Sequence, residues 1–216
     1  FLHARSSTIQ FSEGFLSMPE MDFRESPIGM IYIATRRVGD NVWLRMNDAI
    51  PPNLTQLNRN GEDGLIEHPF WTPWITEWFV PVDDVHHTTF LLIRVPKAAE
   101  DPPRLMGELV ADMDRPYEEQ QRAPSDGQAI LSQRPIAIHA MEHLAETDRG
   151  VIMFRSLVRE GILAVQRGED PPNLVRMQEC GETIPTYTND TVTFFPRESD
   201  PQKDRQLLRD LGWKWA

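Results

Sequence analysis

The sequence predicts an α+β fold, a curved antiparallel sheet from the amino-terminal half packed on one long helix from the carboxyl-terminal half. Three observations lead there. The first half holds runs rich in β-branched and aromatic residues, separated by turn residues. The second half holds one long stretch with apolar residues at helical spacing. Strands first and a long helix afterwards is the order of an α+β domain, not of alternating βαβ units. At 216 residues the chain can bury one sizeable core, so a single domain over 1–216 is expected.

Residues 1–27 read as irregular, with Ser, Gly and Pro punctuating Phe11, Phe15 and Phe23. Residues 30–37, dense in Ile, Tyr and Thr, predict a strand. Val38-Gly39-Asp40-Asn41 is a turn, and 42–50 returns as the partner strand. Residues 53–69 read as a polar loop marked by Asn60-Gly61 and Asp63-Gly64. A third strand over 74–80 and a fourth over 88–95 are joined through Pro81 to His87, completing an antiparallel meander.

The chain then turns helical. Residues 105–113 predict a short amphipathic helix, 115–125 a polar, extended surface stretch, and 126–133 another short helix ended by Pro135. The clearest helix spans 148–167, where Val151, Phe154, Leu157, Val158, Ile162 and Val165 make one apolar stripe. Thr147 or Asp148 can cap its start, and Gly168 stops it. A proline-rich connection, a short strand at 191–195 and a terminal helix over 202–211 follow. A sheet wrapped around the long helix would bury its stripe and leave a cavity between the two.

Composition excludes several roles. The net charge of −11 argues against nucleic acid and against anionic lipid as partners. Residues 1–20 carry charge and lack the continuous apolar block of a signal peptide, and no apolar run is long enough to span a bilayer. The single cysteine, Cys180, excludes an internal disulfide and any cysteine-built zinc or iron–sulfur site. It fits a reducing compartment, so a cytoplasmic location is expected, and with no paired base in view it reads as an inert thiol. The 18 prolines cluster in connections such as Pro51-Pro52 and Pro171-Pro172, where a fixed φ does least harm.

His3 and Asp126 are of types that can ligate a metal. Two neutral imidazoles and one carboxylate bind Fe(II) on one face and leave the opposite face open for dioxygen and substrate. Taken singly, each has a plainer role: His3 as a solvated terminal residue, and Asp126, following Pro124-Ser125, as a helix cap.

Phe1-Leu2-His3 resembles the end of the motif Asp-x-x-His-x-x-x-x-His of the Rieske non-haem iron oxygenases. Pro124-Ser125-Asp126-Gly127-Gln128-Ala129 is similar to that family's Pro-Gly-Asp-Tyr-Glu-Ala-Gln segment, which carries its metal-binding Asp. Ser132 to Ala140 leads into Glu142-His143-Leu144 and then Thr147-Asp148-Arg149-Gly150-Val151. That order resembles the Glu-His-Leu-Gly-x-x-Asp-(Arg/Lys)-Gly-Val block of the phthalate dioxygenase and aryl O-demethylase branch. Trp43-Leu44-Arg45 and Val80-Pro81-Val82-Asp83-Asp84 look like a strand and a turn of the same branch. The likeness covers roughly 1–170, and the block from Glu142 onward is its most specific part.

The resemblance implies a helix-grip, START-like fold and an oxygenase catalytic domain. Its mononuclear Fe(II) would be held by His3, Asp126 and a second His five residues before His3, upstream of Phe1. It implies O2 and an aromatic substrate that is hydroxylated or O-demethylated. It implies electrons from a Rieske [2Fe-2S] cluster, reduced by a ferredoxin or flavin reductase that draws on NAD(P)H, and a homotrimer in which one subunit's cluster serves the next subunit's iron. The Cys-x-His and Cys-x-x-His motifs of that cluster are absent here, so the chain reads as a catalytic fragment lacking an upstream Rieske domain. The family's Asp-Tyr-Glu is Asp126-Gly127-Gln128, a local departure beside the metal-binding acid.

The alternative is a helix-grip module that binds an apolar ligand without iron. Zinc hydrolysis ranks third: His139 and His143 are four apart, but Glu142 directly precedes His143, so no His-Glu-x-x-His arrangement exists. His86-His87 reads as a solvated turn, and His68 sits in the long polar loop. Arg45 or Arg134 could hold a substrate carboxylate, though an arginine in such a place is more often a surface or ion-pairing residue. Trp43, Trp71, Trp74, Trp78, Phe79 and Phe90 fill the core or line a pocket, which spacing does not separate.

Overall fold

The computed structural model describes residues 16–57, 73–94, 115–124, 126–176, 183–184 and 186–215. Within them run strands β1 (Glu20–Ser26), β2 (Gly29–Val38), β3 (Asn41–Ile50), β4 (Leu54–Leu57), β5 (Ile75–Pro81) and β6 (His87–Ile93). Helices α1 (Tyr117–Arg122), α2 (Asp126–Leu131) and α3 (Arg149–Gln166) follow, then β7 (Asn189–Phe194) and α4 (Pro201–Trp215). The order is α+β, as the sequence predicts.

All seven strands join one antiparallel sheet, in the order β1-β2-β3-β4-β5-β6, with β7 on β3. The β2–β3 hairpin closes where Val38 pairs Asn41, which leaves Gly39 and Asp40 as the loop. Gly39 takes a φ of 63°, the left-handed region that a tight hairpin demands and that glycine enters without steric cost. One edge of β3 pairs with β2 throughout. Its other edge forks: Asn41 to Met46 pair with β7, and Asp48 to Ile50 pair with β4. The sheet divides around Asn47 into a β1-β2-β3-β7 half and a β4-β5-β6 half.

Side-chain alternation then decides what each half buries. In the first half the register puts Ile31, Ile33 and Thr35 of β2 on the same face as Leu44 and Met46 of β3. That face packs into a core with Tyr187, and Ile33 is 0% exposed. Helix α4 covers the same face, setting Leu208 and Leu211 against Val42. Asp200 starts this helix, accepting the amide of Gln202 at 2.9 Å, and Pro201 occupies its first turn. Arg37 latches it: its Nη2 reaches Asp204 Oδ1 at 2.5 Å, and the guanidinium also donates to the carbonyl oxygens of Phe195 and Pro196.

Helix α3 begins against β1, where a Cβ on Gly150 would collide with the ring of Phe23. It ends at Gly168, whose φ of 77° and amide bond to the Val165 carbonyl turn the chain out of the helix. The expected burial of its stripe is only partial. Leu157 is buried, but Ile162 is 53% and Val165 60% exposed. Instead of meeting β4-β5-β6 directly, this end of the helix faces them across a cavity.

Three further expectations are corrected. Residues 20–26 are a strand, not irregular. Met21, Phe23 and Glu25 alternate with Glu20, Asp22 and Arg24, and the pairing with β2 supplies the order that propensity alone does not. Leu54–Leu57 is a strand inside the expected loop, four residues long and therefore without a readable period. Tyr117–Arg122 is a helix rather than an extended stretch, with Glu118 and Glu119 in its first turn and Arg122 in its last, both suited to the helix dipole. The helix expected over 105–113 lies outside the described residues. No helix among the described residues is long and apolar enough to cross a membrane.

Candidate functional site

A cavity of about 860 Å³ lies between the β4-β5-β6 half and α3. Ile50, Leu54, Gln56, Thr76, Trp78 and Leu92 are matched in register and share one face, which forms its floor. Leu157, Val158, Ile162 and Val165 of α3 form the roof, and the Pro171-Pro172 connection and Thr186 close the side. Among the described residues the lining is apolar apart from a few amides and hydroxyls and one charged residue, Arg94. That is the chemistry of a site for a small, largely apolar molecule.

Beside the floor lies a buried polar node. Asp48 is 0% exposed; its Oδ2 accepts the Tyr187 amide at 2.8 Å and the Thr188 hydroxyl at 2.7 Å. The Thr188 hydroxyl also accepts the Asp48 amide at 3.1 Å. Burial pushes the Asp48 carboxyl above its ordinary pKa, and the bonds from Thr188 and Tyr187 offset this only in part. Asp48 Oδ1 and Gln56 Oε1, on directly paired residues, are buried acceptors with no protein donor among the described residues. The node holds the segment entering β7 against β3, and Thr186 of that segment is part of the cavity wall.

On the opposite face of the first half, Trp43 Nε1 donates to Asp190, and Arg45 meets the same carboxylate at 3.0 Å. The guanidinium of Arg45 also lies 5.1 Å from the centre of the Trp43 ring, with Arg36 at 5.5 Å. Burial pushes Asp190 up to about 6 despite the opposing pull of Arg45 and the bond from Trp43. A smaller cavity of about 560 Å³, lined by Ala49, Thr55, Phe79, His87 and Phe154, opens on this face of the second half.

The sequence-predicted residues fall unevenly on this frame. His3 lies outside the described residues, as do Ser125, His68, Trp71 and Cys180. Asp126 is the first residue of α2, which is where its backbone is placed. His139 starts a single 3₁₀ turn, His139–Met141, and the chain leaves it at Glu142, so the four-residue spacing to His143 is not helical. Glu142 instead binds Arg155 of α3 at 2.6 and 2.8 Å, tying this connection to the long helix. Asp83 accepts the amides of Val85 and His86 at 2.9 and 2.8 Å and pairs with the His86 ring, so the His86-His87 turn is an exposed, self-contained one. Arg45 is occupied by Asp190, and Arg134 is an exposed residue at a φ of 75°. Neither lines the large cavity.

Sequence reasoning missed Arg94, Gln56 and Asp48. Arg94 ends a strand with no motif around it. Gln56 sits in a strand too short to read. Asp48 is an acid on the buried face of a strand, and that in-register placement was its one available signal. Among the described residues no three His, Cys, Asp or Glu side chains group to hold a metal. The donor types of the expected set, imidazole from His3 and carboxylate from Asp126, do match what Fe(II) takes.

No family model matches the chain. It is 34% identical over 213 residues to the tert-butanol monooxygenase / tert-amyl alcohol desaturase oxygenase subunit of Aquincola tertiaricarbonis, a match that covers 91% of this chain and 44% of that protein. It is 33% identical over 172 residues to the phenoxybenzoate dioxygenase subunit alpha of Ectopseudomonas oleovorans, covering 79% of this chain and 40% of that one. The chain thus spans less than half the length of these relatives. It is similar to oxygenase subunits over nearly its whole extent.

Proposed function

We propose that this chain is the catalytic portion of an oxygenase of the Rieske non-haem iron type, built on a helix-grip sheet whose cavity takes the substrate. The similarity to two oxygenase subunits over 91% and 79% of the chain carries the reading. An apolar cavity between sheet and long helix supports it independently. The rival binding module without iron has no comparable support, because both relatives are oxygenase subunits by name.

In this reading His3, Asp126 and one further imidazole hold Fe(II), and bound iron supplies the activation of dioxygen. Electrons would be drawn from NAD(P)H by a ferredoxin or flavin reductase and delivered by a Rieske [2Fe-2S] cluster, and the working assembly would be a homotrimer. The protein's own contribution is placement. The walls of Ile50, Leu54, Trp78, Leu157 and Ile162 desolvate an apolar substrate body and exclude water around it. The Glu142–Arg155 pair fixes the connection after α2 against α3, limiting how far the helix that begins with Asp126 can drift. The outcome is hydroxylation of a ring or alkyl group; on an O-methyl group the hydroxylated product is a hemiacetal that collapses to the free hydroxyl compound and formaldehyde, so the net result is demethylation. The relatives' names mark two substrate kinds, a small tertiary alcohol and an aromatic carboxylate.

The test separates a metal ligand from a helix cap. In the full-length protein, Asp126→Ala and Asp126→Asn are compared for iron content and for substrate-dependent O2 uptake. Asn caps a helix about as well as Asp but carries no charge. Loss of iron and uptake in both variants, with the circular dichroism spectrum retained, is expected. Iron and uptake that survive both substitutions would remove Asp126 from the metal site.

A further inference from the structure

We propose that Arg94 makes the large cavity a site for a monoanionic ligand, an apolar body ending in a carboxylate, and that Arg94 is the residue that selects it over neutral analogues. The inference rests on the reading of this cavity as the substrate site.

Charge supplies the first argument. The chain carries 33 acidic residues against 22 Lys and Arg, yet among the described residues no carboxylate lines the cavity and the one charged lining residue is the cation Arg94. In so acidic a chain, an exposed cation at the edge of an apolar cavity, with no acid beside it among the described residues, is the unusual choice. Among the described residues no Asp or Glu pairs with Arg94. Two other arginines of the sheet are paired with carboxylates, Arg37 with Asp204 and Arg45 with Asp190.

Geometry supplies the second. Arg94 directly follows β6, where its amide donates to the Trp74 carbonyl at 2.8 Å. Its Nη1 donates to the Pro73 carbonyl, also at 2.8 Å. Those two bonds pin the base of the residue and one tip of its side chain. Among the described residues nothing else accepts from this guanidinium, which leaves the Nε–Nη2 edge as a pair of parallel donors, the fork that takes a carboxylate through two hydrogen bonds at once. A neighbouring apolar surface strengthens such a contact by lowering the local dielectric. Leu92, two residues earlier on the same face, supplies part of that surface, and Trp78 offers a flat wall for the ligand body.

The specificity differs from what the sequence suggested. Arg45 and Arg134, the two arginines singled out for a carboxylate, lie elsewhere, and Arg94 takes that role.

Calorimetric titration of the full-length protein with biphenyl-4-carboxylate and with its neutral isostere biphenyl-4-carboxamide tests the proposal. The wild-type protein should bind the carboxylate about tenfold or more tightly than the carboxamide. Arg94→Gln should bring the two to parity by weakening the carboxylate alone. Arg94→Lys should fall between, keeping the charge and losing the fork. Ile162→Trp, which fills the cavity from its roof, should weaken both ligands. A preference that survives Arg94→Gln, or no preference in the wild type, would overturn the role of Arg94 and leave the cavity reading standing. If Ile162→Trp leaves both affinities unchanged, or neither ligand binds, the cavity reading falls and takes the proposal with it.

Discussion

The β1-β2-β3-β7 half and the β4-β5-β6 half share one hydrogen-bonded ladder but treat their apolar side chains in opposite ways. In the first, Ile31, Ile33, Leu44 and Met46 are packed shut, and α4 is latched over the same face by Arg37 and Asp204. In the second, β6 exposes Phe90, Leu91 and Leu92, with Phe90 at 57%, and the end of α3 that faces it stands off across an 860 Å³ cavity. Backbone pairing is equally regular in both. The difference therefore lies in what meets each face. A helix in direct contact yields a core, and a helix held at a distance yields a container. The first half supplies stability, and the second is released from that task.

Substitutions can break this division. The largest effect is expected from Ile33→Ala, which empties a fully buried position in the packed half. It should cost about 2–5 kcal/mol in urea unfolding, the range for truncating a buried Ile. A loss below about 1 kcal/mol would mean that this half is no better packed than the other.

The pH dependence of stability comes next. Burial raises Asp190 from 3.8 to about 6, so between those values the folded state holds a proton that the unfolded chain has released. Stability contributed by this group therefore falls as pH rises from about 4 to about 6 and is level beyond, by at most roughly 3 kcal/mol. Asp190→Asn should lose that slope, so that the difference between variant and wild type changes with pH between about 4 and 6, as read by denaturant melts at pH 4, 5, 6 and 7. A slope retained in full would place the titration elsewhere.

The smallest effect is expected from Ile162→Ala. The side chain is already 53% exposed and borders empty space, so its removal should cost under about 1 kcal/mol. A loss as large as that of Ile33→Ala would erase the distinction between the halves.

Much of the fold was legible because its signals are local. The alternation of residues 30–37 and 42–50 around Gly39, and the apolar spacing of 148–167 up to Gly168, each lie within one element, and the structure places strands and helix there with small shifts of their ends. What was hidden depends on pairing between distant segments. Leu54–Leu57 is a strand only because β3 and β5 lie on either side of it. Burial of the α3 stripe could not be foreseen either, since periodicity says which residues face inward but not how near the facing sheet comes. The site divides in the same way. Asp126 was singled out as a ligand candidate through the residues around it, a local pattern. Arg94 emerges only when the ends of β5 and β6 come together, which lets the Pro73 carbonyl hold a guanidinium at a cavity edge. Asp48 became notable only once Thr188, 140 positions away, was seen to share its carboxylate.

The forked edge of β3 has a bearing on how such a protein can diverge. Because Asn41 to Met46 answer to β7 while Asp48 to Ile50 answer to β4, residues that shape the container lie on strands reached through only three paired positions of the spine. Replacements at Leu54, Trp78 or Leu92 can accumulate with little strain passed back to Ile33 or Leu44. A lineage built on this frame can exchange one small molecule for another by rewriting β4, β5 and β6, while the remainder of the sheet is inherited unchanged.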